Sequence, residues 1–204
     1  MMRALDLSHP LEPGMPVYPG DPKTDIRTAA TVKEDGFASA WLGLPSHAGT
    51  HVDVAAHMLA DGTDVDALSP EAFIGTGVMI HAPKGAIGPE VLEGQNEADF
   101  ILLRTGWDRL WGTPGYYKDH PHLLPETAEA LARLARKGVG MDFPSPDPMG
   151  RTEAHELFFG AGLVIIENLR GLEALAETIF TFSCLPLKLT GGGGGPCRAV
   201  GILP

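Results

Sequence analysis

His47, His51, Asp53 and His57 fall within eleven residues, and no single regular element can bring all four side chains to one point. On a strand, His51 and Asp53 lie two apart and point to one side. A straight strand, however, separates the Cα atoms of His47 and His51 by about 13 Å. On a helix His47 and His51 meet, but Asp53 swings away from His51. A chain that uses these residues together must bend between His47 and His51, and Gly49 stands where the bend is needed. His57, four residues past Asp53, needs a further bend or a place at the edge of the group. The Thr50 hydroxyl is placed to orient a neighbour.

The gain from such a bend is chemical. Imidazole nitrogen and carboxylate oxygen together suit Zn²⁺, Mn²⁺ or Fe²⁺. With only eight histidines in the chain, a chance grouping of core residues explains three in one segment poorly. Structural zinc sites are usually closed by four ligands and rich in cysteine, and no cysteine stands nearby. The surplus of imidazole and carboxylate therefore indicates an open, catalytic centre. A second group is more ambiguous. His155 follows a proline-rich loop and reads equally well as a surface histidine. Glu167 ends an apolar run, where a charge is costly unless paired or metal-bound, but a strand-end carboxylate or helix cap fits it as well.

The rest of the chain indicates a single globular domain spanning residues 1–204. Hydrophobic residues make up 44% and charged residues 20%, a globular rather than a disordered composition. A net charge of −11 with no basic run argues against a nucleic-acid partner. No apolar run approaches the roughly eighteen residues of a membrane span, so no membrane partner is expected. The N-terminal segment has no signal-peptide apolar core, and Cys184 and Cys197 form neither a disulfide framework nor a CxxC pair. These features together predict a cytoplasmic protein.

With 26 glycines and 18 prolines, the elements should be short. Apolar runs at Ala40–Leu44, Gly77–His81, Phe100–Thr105, Gly138–Met141, Gly162–Glu167 and Ala199–Leu203 predict buried strands. The clearest helix is 125–137, with Pro125 at its start, glutamates early, Arg and Lys late and Gly138 beyond its end. A weaker helix is predicted over Asn168–Thr178 and a short turn over 65–75. The glycine run 191–195 reads as a loop; it lacks the spacing of a phosphate-binding loop. Helix followed by strand indicates an α/β chain, with α+β possible.

Both clusters together resemble the cyclase family of metal-dependent hydrolases, and residues 47–57 are similar to its HxGTHxDxPxH signature. Further blocks resemble the family in order: Asp6–Pro10 with Gly14–Pro22, Arg104–Asp108, Gly140–Asp142 through Ser145–Asp147, Glu167–Leu169, and Leu185–Lys188 with Pro196–Ala199. The resemblance implies a swivelling β/β/α fold in a homo-oligomer, a dimer or tetramer. It implies that His47, His51 and Asp53 bind a first metal, zinc or manganese. Asp53 would bridge to a second ion held with His155 and Glu167 in members carrying two. His57 would move protons at the catalytic centre, with contact to the metal as an additional option, and Tyr18 would contact substrate. The chain departs from the signature at Ala55, where the family has proline, which would stiffen the path to His57.

The chemistry expected is hydrolysis of a small-molecule amide. A zinc-type ion lowers the pKa of bound water to about 7, and His57 would pass the proton to the leaving nitrogen. Within the family the resemblance points to an arylformamidase acting on N-formylkynurenine. The alternatives are a cyclic-amide (isatin-type), lactone or ester hydrolase, or an inactive binding module. Trp41, Phe73 and Trp107 join Tyr18 as candidate aromatic walls. A serine hydrolase is disfavoured because no GxSxG elbow is present.

Overall fold

The computed structural model describes residues 2–175 and 179–204. Its strands grow from the apolar runs. The strands of the N-terminal part are β1 (Arg3–Asp6), β2 (Asp25–Ala30), β3 (Ser39–Gly43) and β4 (His51–Asp53). They are followed by β5 (Ile74–His81), β6 (Ala86–Ile87), β7 (Ala98–Arg104) and β8 (His122–Leu123). The last are β9 (Ala135–Met141), β10 (Val164–Glu167), β11 (Phe180–Ser183), β12 (Gly194–Pro196) and β13 (Val200–Leu203). The helices are α1 (Val32–Asp35), α2 (Pro125–Leu134) and α3 (Glu153–Gly160).

One mixed sheet dominates, in the order β1-β13-β11-β5-β7-β9-β10-β4-β12. Its centre, β5-β7-β9-β10, is parallel. Parallel neighbours need long crossovers, and α2 and α3 supply two of them. The central strand β7 separates two cores by simple alternation. Ile101 and Leu103 point to the side of Leu131, Phe158 and Phe159, which α2 and α3 provide. Phe100 and Leu102 point to the side of Leu7, Val52, Leu169 and Phe182. Burial on both faces explains why β7 reads as a continuous apolar run. Among the described residues no helix is long and apolar enough to cross a membrane.

The six predicted strands are all present, with ends shifted by up to three residues, and the sheet with its crossover helices makes the chain α/β. The strand predicted as buried at 40–44 is instead exposed, because β3 pairs only with β2 in a separate two-stranded sheet. Four further expectations need correction. The helix predicted over 125–137 stops at Leu134, because Ala135 already pairs with Ala98 of β7. Lys137 instead donates to the Glu71 and Ile74 carbonyls at 2.9 and 2.6 Å, so tertiary pairing overrides helix propensity.

The helix predicted over 168–178 is reduced to a 3₁₀ turn at Leu172–Leu175. Positive φ at Asn168 and Gly171, 57° and 66°, breaks its first turn, and residues 176–178 lie outside the described residues. His155 is not a surface histidine: it is buried on α3, a helix that the sequence pattern does not predict. The run 191–195 is partly strand, since Gly194–Pro196 forms β12 against β4.

Candidate metal centre

Strand register assembles the centre. β4 and β10 run antiparallel with His51 opposite Glu167 and Asp53 opposite Ile165. Strand alternation turns His51 and Asp53 to one side and Val52 to the core. The chain before β4 reverses at Gly49, whose φ of 67° is one that glycine adopts without strain. That reversal returns His47 to the cluster, its Nδ1 2.5 Å from Asp53 Oδ1. His51 Nε2 lies 3.2 Å from Asp53 Oδ1 and 3.4 Å from Glu167 Oε2. From α3, His155 Nε2 stands 3.4 Å from Glu167 Oε1 and 3.9 Å from Asp53 Oδ2.

His57 ends a 3₁₀ turn over Ala55–His57, and its ring centroid is 4.0 Å from that of His47. The turn closes with Ala55 in place of proline, through His57 N–H to the Val54 carbonyl at 2.8 Å and Met58 N–H to the Ala55 carbonyl at 3.2 Å. The segments around residue 50 and around 155–167 thus converge on one point. They form the floor of a cavity of about 380 Å³ with Tyr18 on its wall. Trp41, Phe73 and Trp107 do not line it. Trp41 is exposed on β3, Phe73 is core, and the Trp107 indole donates to the Tyr116 carbonyl at 2.8 Å.

Several residues that the sequence reading left without a role hold this geometry. Asp147 accepts from the Ala154 and His155 amides at 2.8 and 3.1 Å and sits 2.6 Å from His155 Nδ1. It therefore caps α3 and orients the ring, leaving Nε2 toward the cluster. His51 is oriented in the same manner, its Nδ1–H donating to the Gly49 carbonyl at 2.9 Å. Asn168 locks the Gly49 reversal. Its amide donates to the Gly49 carbonyl at 2.9 Å, and its own carbonyl accepts from the Thr50 hydroxyl at 2.6 Å. The Tyr116 hydroxyl donates to Asn168 Oδ1 at 2.7 Å. Asparagine tolerates the left-handed backbone this needs.

The donor set fits a divalent ion of the zinc or manganese kind. It offers only imidazole nitrogen and carboxylate oxygen, its carboxylates are buried, and Glu167 Oε1 has no hydrogen-bond partner. Among the described residues, two groups have ligand atoms within 4.8 Å of one another: His47, Asp53 and His57, and His51, Asp53 and Glu167. Asp53 belongs to both.

The charges give an independent reason. Burial works against a proton on His51, yet Asp53 and Glu167 outweigh it and raise the pKa well above the imidazole range. Burial likewise opposes a proton on His155, but Asp147, Glu167 and Asp53 push its pKa up to about 10. Asp53, although burial disfavours its charge, is held well below the usual carboxylate range by His51 and His47. His57 shifts the other way: burial lowers its pKa more than the carboxylates raise it. The field that keeps protons on His51 and His155 equally favours a metal cation, and ligation must displace those protons. Titrating Zn²⁺ into metal-free protein at pH 7 should therefore release between one and two protons per chain, measured with a pH indicator in weak buffer. In the metal-free protein the His155 contribution to stability is fully present below about 6.5. It is lost as pH rises through about 10.

A parallel-centred sheet with a buried imidazole–carboxylate cluster at a strand end defines an α/β metal-site protein. The cyclase family model matches residues 5–148. Kynurenine formamidase from Erythrobacter litoralis is 32% identical over 97% of this chain and 93% of its own length. Kynurenine formamidase from Salinibacter ruber is 32% identical over 98% and 97%. An isatin hydrolase bound to the product analogue thioisatinate superimposes with a TM-score of 0.90 at 21% identity, covering 100% of this chain and 93% of that one. The chain belongs to the cyclase family.

Proposed function

We propose that this chain is a divalent-metal-dependent amide hydrolase that cleaves aryl formamides such as N-formylkynurenine into an aryl amine and formate. One observation carries the reading: Asp53 is shared by two imidazole–carboxylate groups at the floor of an accessible cavity, and the group it forms with His47 includes His57, the more exposed imidazole. The full-length similarity to kynurenine formamidases favours formamide over cyclic amide as substrate.

His47, His51, Asp53, His155 and Glu167 hold the ion, one or two per chain, as zinc or manganese. When bound, the ion supplies Lewis acidity, lowering the pKa of water and stabilising negative charge on the substrate carbonyl oxygen. The protein residues do the rest. His51 and His155 present Nε2 because Gly49 and Asp147 hold their Nδ1 protons. Tyr18 bounds the cavity as an aromatic wall. His57, its basicity reduced by burial, suits a group that takes the proton from water as it adds to the formyl carbon. It then returns that proton to the amide nitrogen as the C–N bond breaks, releasing the neutral amine and formic acid, which gives up its remaining proton to solvent as formate.

The test is formate release from N-formylkynurenine by the metal-loaded protein, with isatin as the competing substrate. His57→Ala should retain its metal by elemental analysis and lose about 10²–10⁴-fold in kcat. Full turnover in that variant would remove His57 from proton transfer. We further propose that the chain works in the cytoplasm as a homodimer or homotetramer. The exposed Phe37, Trp41 and Leu42 around the β2–β3 hairpin support self-association, and sedimentation velocity would measure it.

A further inference from the structure

His120 stands on the wall of the same cavity, just before β8, and the chemistry above does not use it. Its side chain is almost wholly enclosed, at 3% exposure. Its Nδ1 lies 2.8 Å from the Pro121 carbonyl oxygen. A carbonyl oxygen only accepts, so Nδ1 carries the proton and the tautomer is set. Nε2 is then left with its lone pair. Among the described residues Nε2 has no hydrogen-bond partner, and a buried acceptor without one is uncommon and costly. Burial also lowers the pKa of the ring, which keeps it neutral and accepting near pH 7. Asp21, on the same cavity wall, adds a further acceptor, so this part of the wall offers two groups that accept hydrogen bonds.

We propose that His120 is a specificity-determining residue whose Nε2 accepts a hydrogen bond from an N–H of the bound substrate, the amide N–H of an aryl formamide and then the amine of the product. The assignment rests on the aryl-formamide reading above for the ligand's identity and on the cavity geometry for the acceptor. It explains why a buried imidazole with a fixed lone pair sits in a wall that a phenyl ring could fill: a donor-bearing ligand satisfies it, and a ligand without the donor leaves it unpaired.

The test compares binding of 2-aminoacetophenone and acetophenone, which differ only in the donor, to the metal-loaded full-length protein by calorimetry. The wild-type protein should bind the amine at least about tenfold more tightly. His120→Phe and His120→Leu, two apolar variants in case one fails to fold, should narrow that preference to about threefold or less. His120→Gln, which keeps an acceptor oxygen, should retain part of it. A wild-type protein with no preference, or a folded apolar variant that keeps the full preference, overturns the proposal. Formate release followed in parallel separates the two readings. A protein that shows the binding preference but hydrolyses no formamide supports the His120 assignment and sinks the hydrolase assignment. A protein that hydrolyses formamides without the preference does the reverse.

Discussion

Asp53→Ala is expected to strip the centre of bound metal and abolish turnover with it. The reason is topological as well as chemical. Asp53 is the one residue common to both groups of converging ligand atoms, and its side chain is buried at 1% exposure. Loss of a residue that merely orients a ligand costs about 10–100-fold in metal affinity. Loss of a shared ligand should exceed the upper end of that range. Elemental analysis and a chelator competition give the result directly, and unchanged stoichiometry would take Asp53 out of the centre.

The variant also tests the electrostatics without metal. His51 leans on Asp53 for its positive charge. Its ring protons, followed by NMR in the metal-free protein, should titrate at lower pH once the carboxylate is gone. The fold should survive, because an uncharged imidazole can replace the broken ion pair, unlike a stranded lysine or arginine.

The parts of this centre written locally in the chain were legible, and those written in the fold were not. His47, Gly49, His51 and Asp53 are close in sequence, so their spacing alone demanded a bend, and φ at Gly49 supplies it. Glu167 was visible as a charge closing an apolar run, because β10 is buried and a carboxylate at its end needs a reason. Nothing local showed that β10 would pair with β4 in the register that sets Glu167 opposite His51.

Helix α3 was missed for a related reason. Its capping carboxylate, Asp147, sits six residues ahead of the first helical residue rather than at the usual N-cap, where a sequence pattern would look for it. With the helix went its orienting role toward His155. The lock at Asn168 joins residues 119 apart in the chain, and the unpaired nitrogen of His120 becomes visible only when the cavity is closed around it. The same distinction applies to the strands. Those buried on both faces, such as β7, announce themselves by apolar runs, while β12, built of glycine and proline, has no side-chain signal at all.

Strand β12 carries the second large effect. Gly194→Ala is expected to destabilise the protein by about 3 kcal/mol, the upper end of the usual cost of overpacking, and so to lower the melting temperature by roughly 6–12 °C for a chain of this size. Gly194 is not a positive-φ residue, so backbone conformation is not the cause; space is. A Cβ there would lie 2.3 Å from the Val52 carbonyl oxygen, 3.0 Å from His47 Cε1 and 3.3 Å from Asp53 Cα. The first of these is backbone and cannot swing aside, so β12 must move away from β4 or β4 must shift. Because β4 carries His51 and Asp53, the second route also displaces ligands, and metal affinity should fall together with stability. Gly193 presses on the same region, since its Cβ would come within 2.7 Å of His57 Cα. The control is Gly160→Ala at the end of α3, where an added Cβ meets nothing within 4 Å; it should be neutral or stabilise by up to about 1 kcal/mol. Thermal melts of both variants, with and without added Zn²⁺, decide the matter. A Gly194→Ala protein that melts with the wild type would show that β12 can be spaced from β4 at no cost. In that case the glycine run could not be explained by the close approach of the strand to the metal centre.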